Sequence, residues 1–285
     1  MVDIVVLNFN DYFETLNYVN YIKNYGSIDH IIIVDNCSTD GSYDQLIKVK
    51  SNRIHVIQSK KNGGYGYGNN TGIKYALEKF NSKYIAITNP DVKYTDSCLN
   101  ACENFLKNNI KNGFMVCAPV MKNSNNEFVE SAWMIPNWFD YVCFSLSILG
   151  KIFKLQYVYP DNNDYSECQC IAGSMIVFNA NVFEKGIMYD EHIFLYCEEM
   201  LMGINLNNAG YKTALLNNQE FIHAHSVSIN KSISSIVEQQ KIMWQSRLLI
   251  LKEYYKVTKC KFILANILSK IGIFEERIRL LLRKE

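Results

Sequence analysis

Tyr84-Ile85-Ala86-Ile87-Thr88-Asn89-Pro90-Asp91-Val92 is the stretch whose reading decides the fold. A short apolar run with β-branched residues reads as a buried strand, and it stops at Asn89-Pro90-Asp91. Proline has no N–H for a strand ladder, so the chain leaves the sheet there and carries Asp91 to the strand's carboxyl end. In open α/β sheets that edge is where ligands bind. A carboxylate at such a position suits a divalent cation that keeps room for water and substrate phosphates. It equally suits an Asx-type turn in which Asp91 only caps the next helix.

Working outward, Asp3-Ile4-Val5-Val6-Leu7-Asn8 is a first strand ending at Asn8-Phe9-Asn10-Asp11. A helix is expected from about Tyr12 to Tyr25, stopped by Gly26. His30-Ile31-Ile32-Ile33-Val34-Asp35 is a second strand that again ends on a carboxylate, and Ile54-His55-Val56-Ile57 a third. Strands alternating with helices predict a parallel, doubly wound α/β sheet. Asn62-Gly63-Gly64-Tyr65-Gly66-Tyr67-Gly68-Asn69-Asn70-Thr71-Gly72 reads as a glycine-rich loop before a helix over Ile73 to Phe80. Such a loop lets backbone approach a phosphate at a helix N-terminus, or serves only as a flexible connection. It lacks the spacing and the position of a dinucleotide fingerprint.

Further on, Asp96 to Asn108 reads as a helix, with Phe114 to Val120 and Ile171 to Phe178 as strands. The aromatic segment Trp133 to Tyr159 is either a buried core helix or an amphipathic element facing a membrane or an acceptor groove. Tyr189 to Glu199 opens a helix running to Asn208, so Glu198 and Glu199 stand at its start. The helix dipole favours acids there, and a tucked-in acid is also a catalytic candidate. Phe221-Ile222-His223-Ala224-His225 alternates like a strand end, which puts both histidines on one face as polar surface or as metal ligands.

The 285 residues are 48% apolar and 20% charged, an ordinary globular composition, and the net charge of +1 gives no whole-chain argument for nucleic-acid binding, so no nucleic-acid partner is expected. The charge is uneven. Residues 231–285 hold twelve Lys/Arg and five Asp/Glu, a balance of +7, which leaves −6 on residues 1–230. A domain of residues 1–230 followed by a basic, amphipathic helical segment of 231–285 is expected, with anionic lipid or plain solvent facing that segment. Nine cysteines, no basic leader before the first strand and no apolar run long enough to span a bilayer fit reduced thiols and a cytoplasmic setting.

Together these motifs resemble family 2 glycosyltransferases of the GT-A fold, most closely the bacterial rhamnosyltransferase-like group. The resemblance rests on Asn8-Phe9-Asn10, on Val34-Asp35-Asn36-Cys37-Ser38, on Asn62-Gly63-Gly64 with Gly68-Asn69-Asn70, and on Asn89-Pro90-Asp91-Val92. It continues through Ala172-Gly173-Ser174, Tyr189-Asp190-Glu191 with Glu198-Glu199, and His223 with Ser228. It implies inverting transfer of a hexose or deoxyhexose from a UDP- or dTDP-sugar to a glycan or lipid-linked acceptor in cell-surface polysaccharide synthesis. It further implies Mn²⁺ or Mg²⁺ on Asp91 and His223, and nucleotide-sugar contacts from Asn8, Asp35, Asn36, Gly64, Asn69, Asn89 and Gly173, with Asp35 on the pyrimidine base. Glu199 stands at the catalytic base position with Glu198 beside it. Two positions depart from the family pattern. Glu198-Glu199-Met200-Leu201 replaces a more acidic run, and Val177-Phe178-Asn179 stands where an arginine is common. A sugar nucleotidyltransferase would need a basic glycine-rich loop after the first strand, and Asn8-Phe9-Asn10-Asp11 is neither. A catalytically silent membrane scaffold is the non-enzyme alternative, and it predicts no metal-dependent nucleotide binding.

Overall fold

The computed structural model describes residues 1–224 and 235–282. His225, Ser228 and the start of the basic segment lie outside the described residues, as do Arg283 and Lys284. The chain opens β1 (Val2–Asn8), α1 (Tyr12–Ile22), β2 (Ile28–Asp35), α2 (Ser42–Leu46), β3 (Ile54–Gln58), α3 (Tyr65–Phe80), β4 (Tyr84–Thr88). It continues with β5 (Val92–Lys93), α4 (Asp96–Asn109), β6 (Phe114–Lys122), β7 (Ala132–Trp133), α5 (Trp138–Cys143), β8 (Tyr165–Cys168) and β9 (Cys170–Ile171). Then come β10 (Met175–Asn179), α6 (Asn181–Glu184), α7 (Glu198–Asn208), β11 (Lys212–His223), α8 (Ile236–Glu253) and α9 (Lys259–Leu282).

Nine strands form one sheet in the order β3-β2-β1-β4-β10-β6-β11-β5, with β8 also paired to β11. β1, β2, β3, β4, β6 and β11 run one way, while β5, β8 and β10 run the other. Both faces of the parallel half are covered. Alternate residues Ile4, Val6, Ile31 and Ile33 enter one apolar layer, and Val5, Ile32 and Val34 enter the other. One consequence positions everything that follows. The carboxyl ends of β1, β2, β4 and β11 share an edge, and antiparallel β10 brings its amino end, after Gly173-Ser174, to the same edge opposite Thr88.

The glycine-rich stretch is not a loop. α3 begins at Tyr65, so Gly66, Gly68 and Gly72 lie inside the helix. Glycine costs about 1 kcal/mol per helical position, and contact with the sheet outweighs that cost here. A Cβ on Gly68 would stand 2.3 Å from Leu7 Cδ1, and one on Gly72 would stand 2.4 Å from Val5 Cγ1. Gly68 and Gly72 thus seat α3 on β1. The expected strand over Ile171 to Phe178 is likewise two strands, β9 and β10, separated by Ala172-Gly173-Ser174. α1 ends at Ile22 instead of Tyr25, and α7 begins only at Glu198, after two residues in left-handed conformation, Tyr196 and Cys197.

In the aromatic segment only Trp138–Cys143 is an α-helix, and its Tyr141, Val142 and Cys143 are buried. The buried reading holds for this part. Tyr141 and Val142 join an apolar cluster with Met200, Leu201 and Ile204 of α7 and with Trp244, Ile250, Leu251 and Ala265 of α8 and α9. The cysteines are free thiols, six of the nine buried. Among the described residues no helix is long and apolar enough to cross a membrane.

Candidate active site

A cleft of about 410 Å³ opens along the shared strand edge. Its walls include Asn8, Asn36, Gly64, Asn89, Gly173, Glu198, Glu199 and His223. Eight of the expected site residues therefore meet in one cavity, although they are spread over 216 positions of sequence. Asp35, Asn69 and Asp91 are buried behind its surface instead.

Asp35 is fully buried, and its oxygens accept hydrogen bonds from Asn8 Nδ2 (2.9 Å), Ser38 N (3.1 Å) and Gln58 Nε2 (3.0 Å). It is thus the anchor of the β1 end, and Asn8 is the group presented to the cleft. Thr15 Oγ1 donates to Asn8 Oδ1 at 2.9 Å, so the Asn8 amide is fixed from both sides. Asn36 is held by Asn62 Oδ1 (3.1 Å), the Gly64 carbonyl (3.1 Å) and Ser59 Oγ (2.8 Å). Asn69 is completely buried in α3.

The opposite wall is built from the residues before α7. Gly64 has φ +91, and a Cβ there would fall 1.9 Å from the Phe194 carbonyl oxygen, which accepts from Tyr65 N at 3.0 Å. Only glycine permits that approach. Tyr65 then donates its hydroxyl to the Gly173 carbonyl (2.7 Å), and Gly173 N donates to Glu199 Oε1 (3.0 Å). Tyr65, Thr15 and Phe194 received no site role from the sequence, and Asn62 entered only as part of the Asn62-Gly63-Gly64 motif. The left-handed Gly64 beside an Asn-Gly pair was the one available signal, and nothing local pointed to its partner at Phe194.

Burial raises the affinity of both glutamates for protons. The Glu198 carboxyl is pushed well above the ordinary range by burial, with the neighbouring Glu199 charge adding to it. Glu199 is raised by burial and partly restored by its hydrogen bond from Gly173. Two adjacent buried carboxylates resist ionising together, and the stronger upward push falls on the deeper Glu198.

At the sheet's far side His223 pairs with Val92, which brings the end of β11 against the Asn89-Pro90-Asp91 turn. His223 Nε2 lies 3.2 Å from Asp91 Oδ1. That oxygen is buried and accepts no aligned hydrogen bond, so the imidazole and the carboxylate converge without satisfying it. An oxygen and a nitrogen donor held this way fit Mn²⁺ or Mg²⁺. A second group of possible ligands, Asp3, Asp29 and His30, is used otherwise: Asp3 is engaged by His30 and Ser82.

This arrangement can be set beside known proteins. Residues 3–187 match the family described as Glycosyl transferase family 2, well over half of the chain. The chain belongs to glycosyl transferase family 2. A relative within reach of plain sequence comparison is the Low-salt glycan biosynthesis hexosyltransferase Agl10 of Haloferax volcanii, 24% identical over 197 residues. That match takes in 69% of this chain but spans only 58% of the relative's length. The family 2 fold is also shared with solved structures. GalNAc-T7 with UDP, GalNAc and Mn²⁺ superposes at a TM-score of 0.65 with 11% identity, over 90% of this chain and 49% of that one. The mannosyltransferase PcManGT from Pyrobaculum calidifontis, in complex with GDP-Man and Mn²⁺, gives 0.59 with 12% identity, over 95% and 69%. TarS 1-349 of S. aureus with UDP-GlcNAc gives 0.54 with 16% identity, over 87% and 66%. The mixed α/β architecture is thus that of the GT-A fold.

Proposed function

We propose that this family 2 protein is an inverting glycosyltransferase that moves a hexosyl or deoxyhexosyl group from a UDP- or dTDP-sugar to a hydroxyl of a glycan or lipid-linked acceptor. Its place is in cell-surface polysaccharide synthesis, at the inner face of the membrane, within the rhamnosyltransferase-like group. One observation carries the reading: a single cleft gathers Asn8, Asn36 and Gly64 on one side and the Gly173–Glu199 hydrogen bond on the other, with His223 and the buried Asp91 at its margin. Residues 1–230 form the catalytic unit in this proposal and 231–285 the helical segment that attaches to it.

On the donor side Asn8 and Asn36 contact the nucleotide, and Asp35 acts on the base by holding Asn8. Asn69 lies buried in α3 behind that wall, while Asn89 and Gly173 face the diphosphate and the sugar. Asp91 and His223 would hold the divalent cation, which when bound neutralises the departing nucleoside diphosphate. On the acceptor side Glu199 takes the proton of the attacking hydroxyl as its oxygen bonds to the anomeric carbon and the bond to the diphosphate breaks. The electron pair leaves with the diphosphate. A burial-raised carboxylate is a stronger base than an ordinary glutamate, which favours this transfer. Glu198 keeps its proton and spares Glu199 a like charge.

A panel of UDP-, dTDP- and GDP-sugars with Mn²⁺ tests the proposal through release of nucleoside diphosphate. One uridine or thymidine donor class should release it, faster with acceptor-rich membrane extract. Release confined to pyrophosphate from a nucleoside triphosphate and a sugar phosphate would identify a nucleotidyltransferase. No binding to any donor would identify a silent scaffold.

A further inference from the structure

α9 is built inside out. Its buried positions, Ala265, Ser269, Gly272 and Glu276, are small or polar. Leu268 and Ile273 pack against the core, but six other large apolar residues face solvent: Ile263, Ile267, Ile271, Phe274, Ile278 and Leu281 are between 41% and 69% exposed. An ordinary surface helix does the reverse. Tight seating explains the inner face, because a Cβ on Gly272 would lie 3.0 Å from both Leu146 and Trp244. It does not explain the outer one.

At about 100° per residue the six outer side chains fall within an arc of about 80° along the whole helix. Exposed Lys259, Lys270 and Arg277 run along one margin of this stripe. Lys261 and Arg279 lie about 80° beyond the other edge, where Lys261 covers the Trp138 ring and Arg279 bonds Glu276 and Ser147. The neighbouring turn adds two further apolar residues, Ile148 and Ile152, 71% and 70% exposed, beside exposed Lys151 and Lys154. That turn is tied to α9 by Ser147 N donating to Glu275 Oε2 at 2.8 Å. Glu275 and Glu276, the acids of α9, are both engaged toward the body.

We infer that the outer face of α9, together with the Ile148–Ile152 turn, is a bilayer-docking surface that lies flat on anionic lipid. A contiguous apolar stripe with basic margins matches the depth profile of a membrane interface: apolar side chains enter the acyl boundary, and lysine and arginine stems reach back to the headgroups. No described helix can cross a bilayer, so α9 lies on the surface and does not span it. A second copy of the chain fits less well. Pairing two such stripes sets lysine and arginine margins against each other with no exposed acid of α9 to answer them.

The inference extends the membrane part of the function proposed above and does not depend on the transfer chemistry. The test is flotation of the full chain with phosphatidylcholine vesicles with and without phosphatidylglycerol. Binding should require phosphatidylglycerol and weaken with added salt. The double variant Ile271→Asp, Phe274→Asp should lower the vesicle partition coefficient by at least about tenfold. Its melting temperature should stay put, since both side chains already face solvent. Replacing Lys259, Lys270 and Arg277 by glutamine should reduce binding to anionic vesicles and flatten the salt dependence. Three results overturn the inference: no flotation, equal flotation of wild type and variants, or a solution dimer that the Asp variants dissolve. Donor-dependent release of nucleoside diphosphate in vesicle-free buffer reads the transferase separately.

Discussion

Replacing Gly173 by alanine tests the catalytic wall more narrowly than removing a carboxylate. The added Cβ would stand 2.7 Å from Glu199 Oε1 and 3.3 Å from the Tyr65 hydroxyl, where ordinary contact begins at 3.4 Å. The carboxylate must therefore retreat by about 0.7 Å, and its 3.0 Å hydrogen bond from Gly173 N is lost or bent. Because a displacement of roughly 1 Å in reacting geometry costs on the order of 10²-fold, kcat should fall by about 10- to 10²-fold. Donor affinity should fall less than kcat, because Asn8 and Asn36 on the other side of the cleft keep their hold on the nucleotide. Overpacking costs about 1–3 kcal/mol at most sites, and at a cleft wall with room to yield the melting temperature should drop only by a few degrees. Steady-state release of nucleoside diphosphate gives kcat, and equilibrium titration gives the donor Kd. An unchanged kcat would show that the position of Glu199 does not limit the reaction. A large rise in donor Kd with kcat intact would move Gly173 to the donor side alone.

Glu199→Gln should lower kcat by about 10²-fold or more, and Glu198→Gln by less, since Glu199 is the carboxylate that Gly173 N fixes at the cleft wall; turnover of both variants measures the order. Asp35→Ala releases Asn8, so the donor Kd should rise more than kcat falls, as titration of the nucleoside diphosphate will show. The buried Glu198 carboxyl, raised above its ordinary value of 4.5, keeps a proton in the folded state that the unfolded chain gives up. Its stabilisation is therefore complete below that ordinary value and is lost as pH rises through the raised one. Melting temperature should decline over that window, and Glu198→Gln should flatten the decline.

The sheet was legible because its strands are continuous β-branched runs ending at polar turns, and Ile31 to Asp35 or Ile85 to Thr88 admit little else. The Glu198-Glu199 pair and the Asp91 turn stood out for a related reason, as acids and a proline placed where a strand or helix begins or ends. The glycine-rich stretch misled because glycine signals a loop locally, whereas here contact with Leu7 and Val5 makes the helix. Such contacts lie about 60 residues away along the chain and leave no local trace. The same holds for Tyr65, whose part depends on Phe194 and Gly173. Asp35 shows a subtler gap. Its place at the strand end was readable, but its burial behind Asn8 was not, since that depends on Gln58 from the adjacent strand. The basic character of the C-terminal helices was plain, whereas the outward turn of the α9 stripe emerged only once Gly272 was seen against Trp244.

The central claim is a nucleotide-sugar site completed by a divalent ion at Asp91 and His223. It is tested most directly by titrating wild type and Asp91→Asn with UDP- and dTDP-sugars in the presence and absence of Mn²⁺. An amide is a poorer ligand than a carboxylate for a hard dication. Wild type should bind one donor class tightly only with Mn²⁺, and Asp91→Asn should lose that gain while keeping its melting temperature. Affinity that ignores the metal, or an Asp91→Asn variant that binds with Mn²⁺ as wild type does, would contradict the account.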